Sequence, residues 1–392
     1  MDFETLIGKN ENQPVEVIFG RGSMSSLPEQ LDKIGARRAL LVTSKGFVKR
    51  GVADKLAEIC KGKIVALYSC VSPNPTAEQC DSCIEMIHEN SCDSVIALGG
   101  GSVMDCAKAA ACICSGDSPV ESYLRGADLP NETLPVIAMP TTSGTGSELT
   151  RVSVISEKPH GTKFPIRNDI LYPKLAVVDP ALTDTMPRHS TASTGMDAMC
   201  HALEGYWSKN HLPKTADYSI PALELIFDNL EEAYCRPTNQ SARDNMAKAS
   251  VLAGIAFSKP GTTAPHACSY PITTLLGIDH GEACGLTIVQ FMMINAEHDE
   301  EGRIDSLASA LGYGDAERLG MHINAMKKNL RLCSDLESME LRKEDVDELV
   351  RGSHNSTILN NPVDVDDAML YKIYMELACP SEEKQRKHKV YA

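Results

Sequence analysis

The chain has 392 residues, of which 43% are hydrophobic and 23% are charged, and its formal net charge is −15 at pH 7. This length predicts two domains, and the ordinary composition predicts a true hydrophobic core. The strong negative charge argues against nucleic acid as a partner, because proteins that bind phosphate backbones normally carry a basic face.

The sequence shows no export or membrane signal. The opening stretch MDFETLIGKNENQPVEVIFG lacks a basic region and an apolar core, and no later run is long enough to predict a membrane span. The fourteen cysteines are therefore expected to be reduced thiols in a cytoplasmic protein, most of them acting as small buried hydrophobes. Cys80 and Cys83 form a CxxC pair, but no second pair stands at zinc-finger spacing, so no structural zinc site is predicted.

The first half of the chain alternates two kinds of apolar pattern. Helices are predicted at 24–36, 48–60 and 76–92. Strands are predicted at 38–46, 63–71, 94–102, 134–148 and 174–182. Strands that alternate with helices indicate an α/β domain built on a parallel sheet.

From about residue 188 the strand-like runs end and segments with a 3.6-residue period follow. Helices are predicted at 217–235, 242–258, 301–312 and 344–353. A stretch rich in Pro, Ser, Thr and Gly at 186–195 marks the boundary. We therefore expect an α/β domain at 1–188 and an all-helical domain at 189–392, which ends in a solvated charged segment.

Two glycine-rich loops follow predicted strands. In VIALGGGSVMDCAK, Gly99–Ser102 lie between a strand and a helix, where exposed N–H groups at the helix start suit an anion. The pattern is not GxGxxG, and a turn without a ligand is the alternative. The second loop, PTTSGTGSE at 140–148, offers hydroxyls and amides with little bulk. Two such loops in one sheet point to a dinucleotide across the carboxyl ends of the strands.

Four polar residues stand among small neighbours in the second half. Asp197 and His201 are four apart and would share a helix face, and His266 and His280 add two imidazoles. A surface pair and buried core histidines are the alternatives, but the small neighbours favour a divalent metal such as Fe(II) or Zn(II). The remaining histidines considered are expected at the surface: His160, His189, His211, His298, His322 and His354.

Five motifs together resemble the iron-containing (group III) alcohol dehydrogenases. They are GGGSVMDCAK, PTTSGTGSELT, DPALTDTMP, GMDAMCHALEGYWS and HACSYPITTLLGIDHGEA, in the family's order and over nearly the whole chain. The resemblance implies a Rossmann-like dinucleotide-binding domain followed by a helical metal-binding domain, the dehydroquinate synthase-like architecture. It implies reversible, NAD(P)H-linked reduction of an aldehyde whose carbonyl a metal polarises.

The resemblance also implies site residues. The metal ligands would be Asp197, His201, His266 and His280, and the catalytic residues His266, His280 and Tyr270. The cofactor residues would be Ser44, Asn74, Gly99, Gly100, Gly101, Ser102, Asp105, Thr141, Thr142, Thr145, Ser147, Lys163 and Leu182. Many NAD-preferring relatives have an aspartate where this chain has Ser44, so NAD(H) is expected but NADP(H) is not excluded.

The chain departs from the common family pattern near His266. Tyr270 stands where many members have a further histidine, so a histidine proton relay is in doubt. The stretch SKPGTTAPH brings Lys259, Thr262 and Thr263 close in sequence to the ligand and is similar to the phosphonoacetaldehyde reductase branch, with sulfoacetaldehyde reductases as neighbours in chemistry. Together with the guanidinium groups of Arg151 and Arg167, these residues predict a short aldehyde with an anionic head.

Three alternatives remain at this stage. One is a general short-chain alcohol dehydrogenase of the butanol or 1,3-propanediol type. A dehydroquinate-synthase-like lyase would need more Lys and Arg around the ligands than the helical half offers, and a non-catalytic sensor would not need an open metal position. The expected partners are a small aldehyde or alcohol and other copies of this chain in a homo-oligomer, with no nucleic acid and no membrane.

Overall fold

A computed structural model describes residues 2–158 and 161–379. Within these residues the strands are Glu16–Phe19 (β1), Ala39–Val42 (β2), Ile64–Tyr68 (β3), Ser94–Gly99 (β4), Val136–Pro140 (β5), Val152–Ser156 (β6), Lys163–Arg167 (β7) and Leu175–Val178 (β8). The helices of the first half are Phe3–Leu6 (α1), Leu27–Lys33 (α2), Lys45–Lys49 (α3), Val52–Ile59 (α4), Ala77–Glu89 (α5), Gly101–Ile113 (α6) and Val120–Leu124 (α7). The helices of the second half are Arg188–Trp207 (α8), Thr215–Cys235 (α9), Gln240–Ser258 (α10), Ala264–Leu276 (α11), His280–Glu297 (α12), Arg303–Ala310 (α13), Ala316–Asn329 (α14), Lys343–Ser353 (α15) and Asp367–Ala378 (α16). His160 and the charged segment 380–392 lie outside the described residues.

The first half contains a parallel sheet in the order β1-β8-β5-β4-β2-β3. Its central strands are buried on both faces, which is why they read as continuous apolar runs. Leu40 and Val95 pack in the cluster that includes residues of α5 and α6, whereas Leu41 and Ile96 pack in the cluster that includes residues of α2 and α4. The predicted α/β domain is confirmed.

The structure adds elements that the sequence patterns did not predict. Strand β1 lies at one edge of the sheet, and β6 and β7 form an antiparallel pair outside it. Pro165 lies inside β7, which a two-stranded ribbon tolerates because one edge of each strand is free. The predicted helix at 48–60 is two helices, α3 and α4, because Gly51 adopts a left-handed φ of 72° between them.

The second half is helical, as predicted, and its centre is α8. This helix is buried along most of its length and packs against α9, α10 and α12. A helix that is covered on every side forms the middle of a helical core rather than its surface. Among the described residues, no helix is both long and apolar enough to cross a membrane.

The start and the end of α11 set the positions of His266 and His280. Pro265 lies in the first turn of α11, where a missing N–H costs nothing, so His266 sits at the start of that helix. Gly277 ends α11 with a left-handed φ of 72°, and α12 begins at His280.

The prediction of a surface His322 is wrong. Its side chain is half-buried, and its ring centroid lies 4.7 Å from that of Tyr313.

Candidate metal and dinucleotide site

Three helices bring the four predicted ligands to one point. Asp197 and His201 lie one turn apart on α8, His266 opens α11, and His280 opens α12. The His266 Nε2 atom is 3.0 Å from His201 Nε2 and 3.5 Å from Asp197 Oδ1. The Nε2 atoms of His201 and His280 are each 3.8 Å from Asp197 Oδ1. The Nε2 atoms of all three histidines therefore lie within 3.8 Å of Asp197 Oδ1.

The spacing and chemistry of these atoms fit a divalent transition metal. Metal bonds of about 2.0–2.1 Å in tetrahedral geometry place neighbouring ligand atoms about 3.3 Å apart. The measured separations of 3.0–3.8 Å bracket that value. Asp197 Oδ1 is buried and has no hydrogen-bond partner among the described residues, which is costly unless a cation satisfies it. The donor set thus fits the metal that the sequence predicts.

The outer nitrogen of two imidazoles is occupied, and this directs the other nitrogen inward. His201 Nδ1 lies 3.2 Å from the carbonyl oxygen of Gly144, which can only accept, so the proton is on Nδ1. The Ser269 hydroxyl donates its proton to the carbonyl oxygen of His266, so at 3.2 Å it accepts from His280 Nδ1. Each ring therefore presents a free Nε2 lone pair to the centre, as metal-binding histidines do.

A buried glutamate that the sequence analysis did not select orients the third imidazole. Glu204 is fully buried, and its carboxylate accepts from His266 Nδ1 at 2.5 Å and from the backbone N–H of Thr263 at 2.6 Å. Burial alone would lower the pKa of His266, but Cys284 and Glu204 raise it overall. A carboxylate–histidine pair of this kind sets the ring's orientation and increases its basicity as a ligand.

The protonation states of the other ligands also suit a cation. Burial lowers the pKa of His201 to about 4 and that of His280 to about 3, because a charged imidazole is poorly solvated inside the protein. Burial alone would raise the pKa of Asp197, but His201 and the other imidazoles lower it overall. At neutral pH the site therefore offers one carboxylate and two neutral imidazoles without any proton having to leave them.

A cavity of about 480 Å³ joins this centre to both glycine-rich loops. Gly101 opens α6 and faces the second loop so closely that a Cβ there would lie 3.0 Å from Thr145 Cγ2. Thr142 Oγ1 is buried without a partner among the described residues and borders the cavity. Exposed amides at a helix start suit the phosphates of a dinucleotide, and the Thr142 hydroxyl is free to bond to another part of the same cofactor.

Most of the predicted cofactor residues line this cavity, and three do not. The lining residues are Ser44, Asn74, Gly100, Gly101, Ser102, Asp105, Thr142, Thr145, Ser147 and Lys163. Gly99 and Thr141 lie behind the loops, where the Thr141 N–H donates to the Gly99 carbonyl, and Leu182 packs in the sheet's apolar cluster. The Asp105 carboxylate is already engaged, because it accepts from Ser147 Oγ at 2.7 Å and from the Val154 N–H at 3.0 Å.

The predicted substrate residues divide in the same way. Arg151, Lys259 and Thr262 line the cavity, but Arg151 is paired with Asp169 at 2.8 Å. Lys259 donates to the carbonyl oxygen of Glu11, a residue that does not line the cavity.

Thr263 is not brought to the cavity. It is fully buried, and its hydroxyl donates to Glu204 at 2.9 Å and accepts from Trp207 Nε1 at 3.0 Å. Its place in the sequence, three residues before His266, reflects support of the ligand shell and not contact with substrate.

A different group of polar residues borders the cavity near the metal centre. Arg167 donates to Thr357 Oγ1 at 3.0 Å, and no carboxylate of the described residues pairs with it. Lys163 Nζ lies 5.8 Å from the Tyr270 ring centroid, and burial lowers its pKa to about 8. Burial likewise raises the pKa of Tyr270, so its hydroxyl keeps its proton and can donate.

Two further residues at the metal centre, Glu204 and Cys284, stand at helical spacing from the predicted ligands. Glu204 follows Asp197 by seven residues and His201 by three, which places all three on one face of α8. Cys284 follows His280 by four residues on α12, and its Sγ belongs with Asp197, His266 and His280 to a cluster of ligand atoms within 4.8 Å of one another. This cluster contains Cys284 in place of His201. The unprotonated His201 Nε2 also lies close to this cluster, 3.0 Å from His266 Nε2 and 3.8 Å from Asp197 Oδ1.

Known proteins resemble this chain in both halves. The family models for iron-containing alcohol dehydrogenase and for the family's C-terminal domain match residues 14–180 and 191–378. The crystal structure of sulfoacetaldehyde reductase from Bifidobacterium kashiwanohense in complex with NAD+ is 41% identical, covers 94% of this chain and 98% of its own, and has a TM-score of 0.90.

Two curated relatives extend the comparison. The 1,3-propanediol dehydrogenase of Citrobacter freundii is 33% identical over 81% of this chain and 84% of its own length. The 4-hydroxybutyrate dehydrogenase of Cupriavidus necator is 31% identical over 85% and 90%, respectively. These matches confirm the predicted fold, the oxidoreductase class acting on CH–OH groups, and the expectation of a divalent metal with a nicotinamide dinucleotide. The chain belongs to the iron-containing alcohol dehydrogenase family.

Proposed function

We propose that this protein is a metal-dependent reductase that converts a short aldehyde with an anionic head, a sulfonate or phosphonate, to the primary alcohol with NAD(H), reversibly. One observation carries the proposal. The metal centre, both glycine-rich loops and the cations Arg167 and Lys163, which pair with no carboxylate of the described residues, all border the same cavity. A substrate held there can reach a metal, a nicotinamide and a positive charge at once.

The ligand residues prepare the reacting end of the substrate site. Asp197, His201, His266 and His280 would hold the metal, which when bound supplies a Lewis acid for the carbonyl oxygen. The chain itself fixes the geometry, because Glu204 and the other outer partners prevent the imidazoles from rotating. Asp197, His201 and His266 are buried, whereas the half-buried His280 ring faces the cavity through which a substrate would enter.

The opposite end of the substrate would be held by charge. The Arg167 guanidinium is braced by Thr357 and the Lys163 ammonium lies near Tyr270, so both have donors to spare for a tetrahedral oxyanion. Tyr270 and Thr262 add hydroxyls at the same wall. Arg151 and Lys259 contribute less in this proposal than the sequence suggested, because each already has a protein partner.

The dinucleotide would lie across the carboxyl ends of the parallel strands. Gly100, Gly101 and Ser102 would contact the pyrophosphate, and Thr142 and Thr145 the nicotinamide side. Ser44 lines the cavity and carries no charge to repel a 2′-phosphate, so NADP(H) requires a direct test. The NAD+ bound in the similar reductase supports NAD(H).

A general short-chain alcohol dehydrogenase is the second candidate. The 33% identity to a 1,3-propanediol dehydrogenase, whose named substrate is neutral, favours it. The 41% identity to a sulfoacetaldehyde reductase and the 31% identity to a 4-hydroxybutyrate dehydrogenase, whose named substrates are anionic, favour the first.

We also propose that the protein is cytoplasmic and forms a homo-oligomer. Each chain would consist of two domains, at residues 1–188 and 189–392. Ten of the fourteen cysteines are buried, and a chain rich in buried cysteines that form no disulfide framework is typical of a reducing compartment. The residue ranges of the two family models support the division.

The decisive experiment measures anaerobic NADH oxidation by metal-reconstituted protein with sulfoacetaldehyde, phosphonoacetaldehyde and butanal in parallel, and repeats it with NADPH. One anionic aldehyde should exceed butanal in kcat/KM by about tenfold or more, since one charge-assisted hydrogen bond contributes about 1.5–3 kcal/mol. Equal turnover of butanal would establish the general alcohol dehydrogenase instead.

A further inference from the structure

A thiol lies at the metal centre in addition to the four family ligands. Cys284 is fully buried on α12, one helical turn after His280, and its Sγ is 3.9 Å from His280 Nε2. Its Sγ and the ligand atoms of Asp197, His266 and His280 all lie within 4.8 Å of one another. Asp197 Oδ1, which is buried and has no hydrogen-bond partner among the described residues, belongs to the same cluster and marks it as a cation site.

The separation suits a shared metal. In a five-coordinate site, zinc bonds of about 2.3 Å to sulfur and about 2.05 Å to nitrogen place neighbouring donors about 3.1–3.8 Å apart, for bond angles of about 90–120°. The observed 3.9 Å between Cys284 Sγ and His280 Nε2 is close to that range. A shift of a few tenths of an ångström by either side chain would complete the geometry.

Helix packing fixes the thiol at this place. Gly281 and Gly285 lie on either side of Cys284 along α12, and both press against α8. A Cβ at Gly281 would come within 2.0 Å of the Ser193 carbonyl oxygen, and one at Gly285 within 2.7 Å of Met196 Cγ. The backbone that carries Cys284 is therefore held against the helix that carries Asp197.

We propose that the Cys284 thiolate is a fifth donor to the metal, beside Asp197, His201, His266 and His280, and that it biases the site toward Zn(II) or Co(II) over Fe(II). Thiolate is a soft ligand and favours the metals that commonly accept sulfur. Formation of the metal–sulfur bond breaks the S–H bond and releases the thiol proton to solvent. The resulting thiolate, with Asp197, places two negative charges beside the dication. The inference rests on the proposed metal-dependent function, since it assigns a ligand to that same site.

The test uses X-ray absorption on the full-length zinc-loaded protein. A sulfur scatterer at about 2.3 Å should be present in the wild type, absent in Cys284→Ser, and retained in Cys268→Ala. Cys268 is the matched control, because it is equally buried in the same half of the molecule and lies outside the ligand cluster. The cobalt-loaded wild type should show a thiolate-to-cobalt charge-transfer band in the near ultraviolet that Cys284→Ser lacks.

The wild-type spectrum decides the matter even if the variant fails to fold. A zinc-loaded wild type without a sulfur neighbour, or a sulfur neighbour that persists in Cys284→Ser, overturns the inference. Cys284→Ser should also bind Zn(II) about tenfold or more weakly and lose less affinity for Fe(II). Aldehyde reduction without a sulfur neighbour would refute only the ligand, whereas a sulfur neighbour without any aldehyde reduction would refute only the proposed function.

Discussion

Substitution of Glu204 by glutamine tests whether a residue outside the ligand set controls the metal centre. The glutamate is fully buried and accepts from His266 Nδ1 at 2.5 Å, and from the backbone N–H and hydroxyl of Thr263 at 2.6 and 2.9 Å. Glutamine keeps the shape but loses the negative charge, and its NH₂ group must face one of these donors. His266 would then be a weaker and less well oriented ligand.

The expected loss of metal affinity follows from the ligand's outer partner. Removing such a partner reduces affinity by about 10–100-fold, which corresponds to about 1.4–2.8 kcal/mol. Competition with a chromophoric chelator measures the dissociation constant of zinc directly, and kcat at saturating metal shows whether the assembled site still works.

A matched control separates this effect from the general cost of changing a buried carboxylate. Glu148 is equally buried, and burial raises its pKa to about 7, so glutamine resembles its neutral form. Glu148→Gln should leave zinc affinity within about twofold of the wild type, because Glu148 bonds to no metal-binding histidine. Unchanged zinc affinity in Glu204→Gln would refute the argument that the glutamate orients His266.

Three further predictions concern the cavity. Arg167→Met should raise KM for an anionic aldehyde by about tenfold or more and leave KM for butanal unchanged. Arg151→Met should change neither KM much, because Asp169 already pairs with Arg151. Steady-state kinetics with both substrates compares the two variants. Burial lowers the pKa of Lys163 to about 8, so its positive charge is present below that pH and is lost above it. KM for the anionic aldehyde should therefore rise above pH 8, whereas KM for butanal should stay flat. A parallel rise with both substrates would exclude Lys163 as the cause. Gly101→Val should raise KM for NADH, because even a Cβ would lie 3.0 Å from Thr145 Cγ2; an unchanged KM, with normal thermal unfolding, would show that the cofactor does not approach this turn.

Local sequence patterns predicted the main architecture because both of its parts are periodic. The parallel strands are apolar on both faces, and the helices of the second half repeat every 3.6 residues, so each leaves a clear pattern. The β6–β7 pair leaves a weak one, since Pro165 interrupts a strand with charged ends. Gly51 divides a continuous amphipathic pattern through its left-handed φ, which no apolar period reports.

Within the site, too, some features follow from the local sequence and others only from the tertiary structure. The sequence by itself determined Asp197 and His201 as one pair, because four residues make one helical turn, and the glycines that let a dinucleotide approach the sheet. Only the tertiary structure decided that His266, 65 positions after His201, would bring its Nε2 within 3.0 Å of that ring. It also turned Thr263 away from substrate, left Arg167 without a carboxylate partner among the described residues, and added Glu204 and Cys284 to the centre. The reason is physical: which side chains a residue meets depends on how α8, α11 and α12 pack, and that packing is set by close contacts such as Gly281 against Ser193.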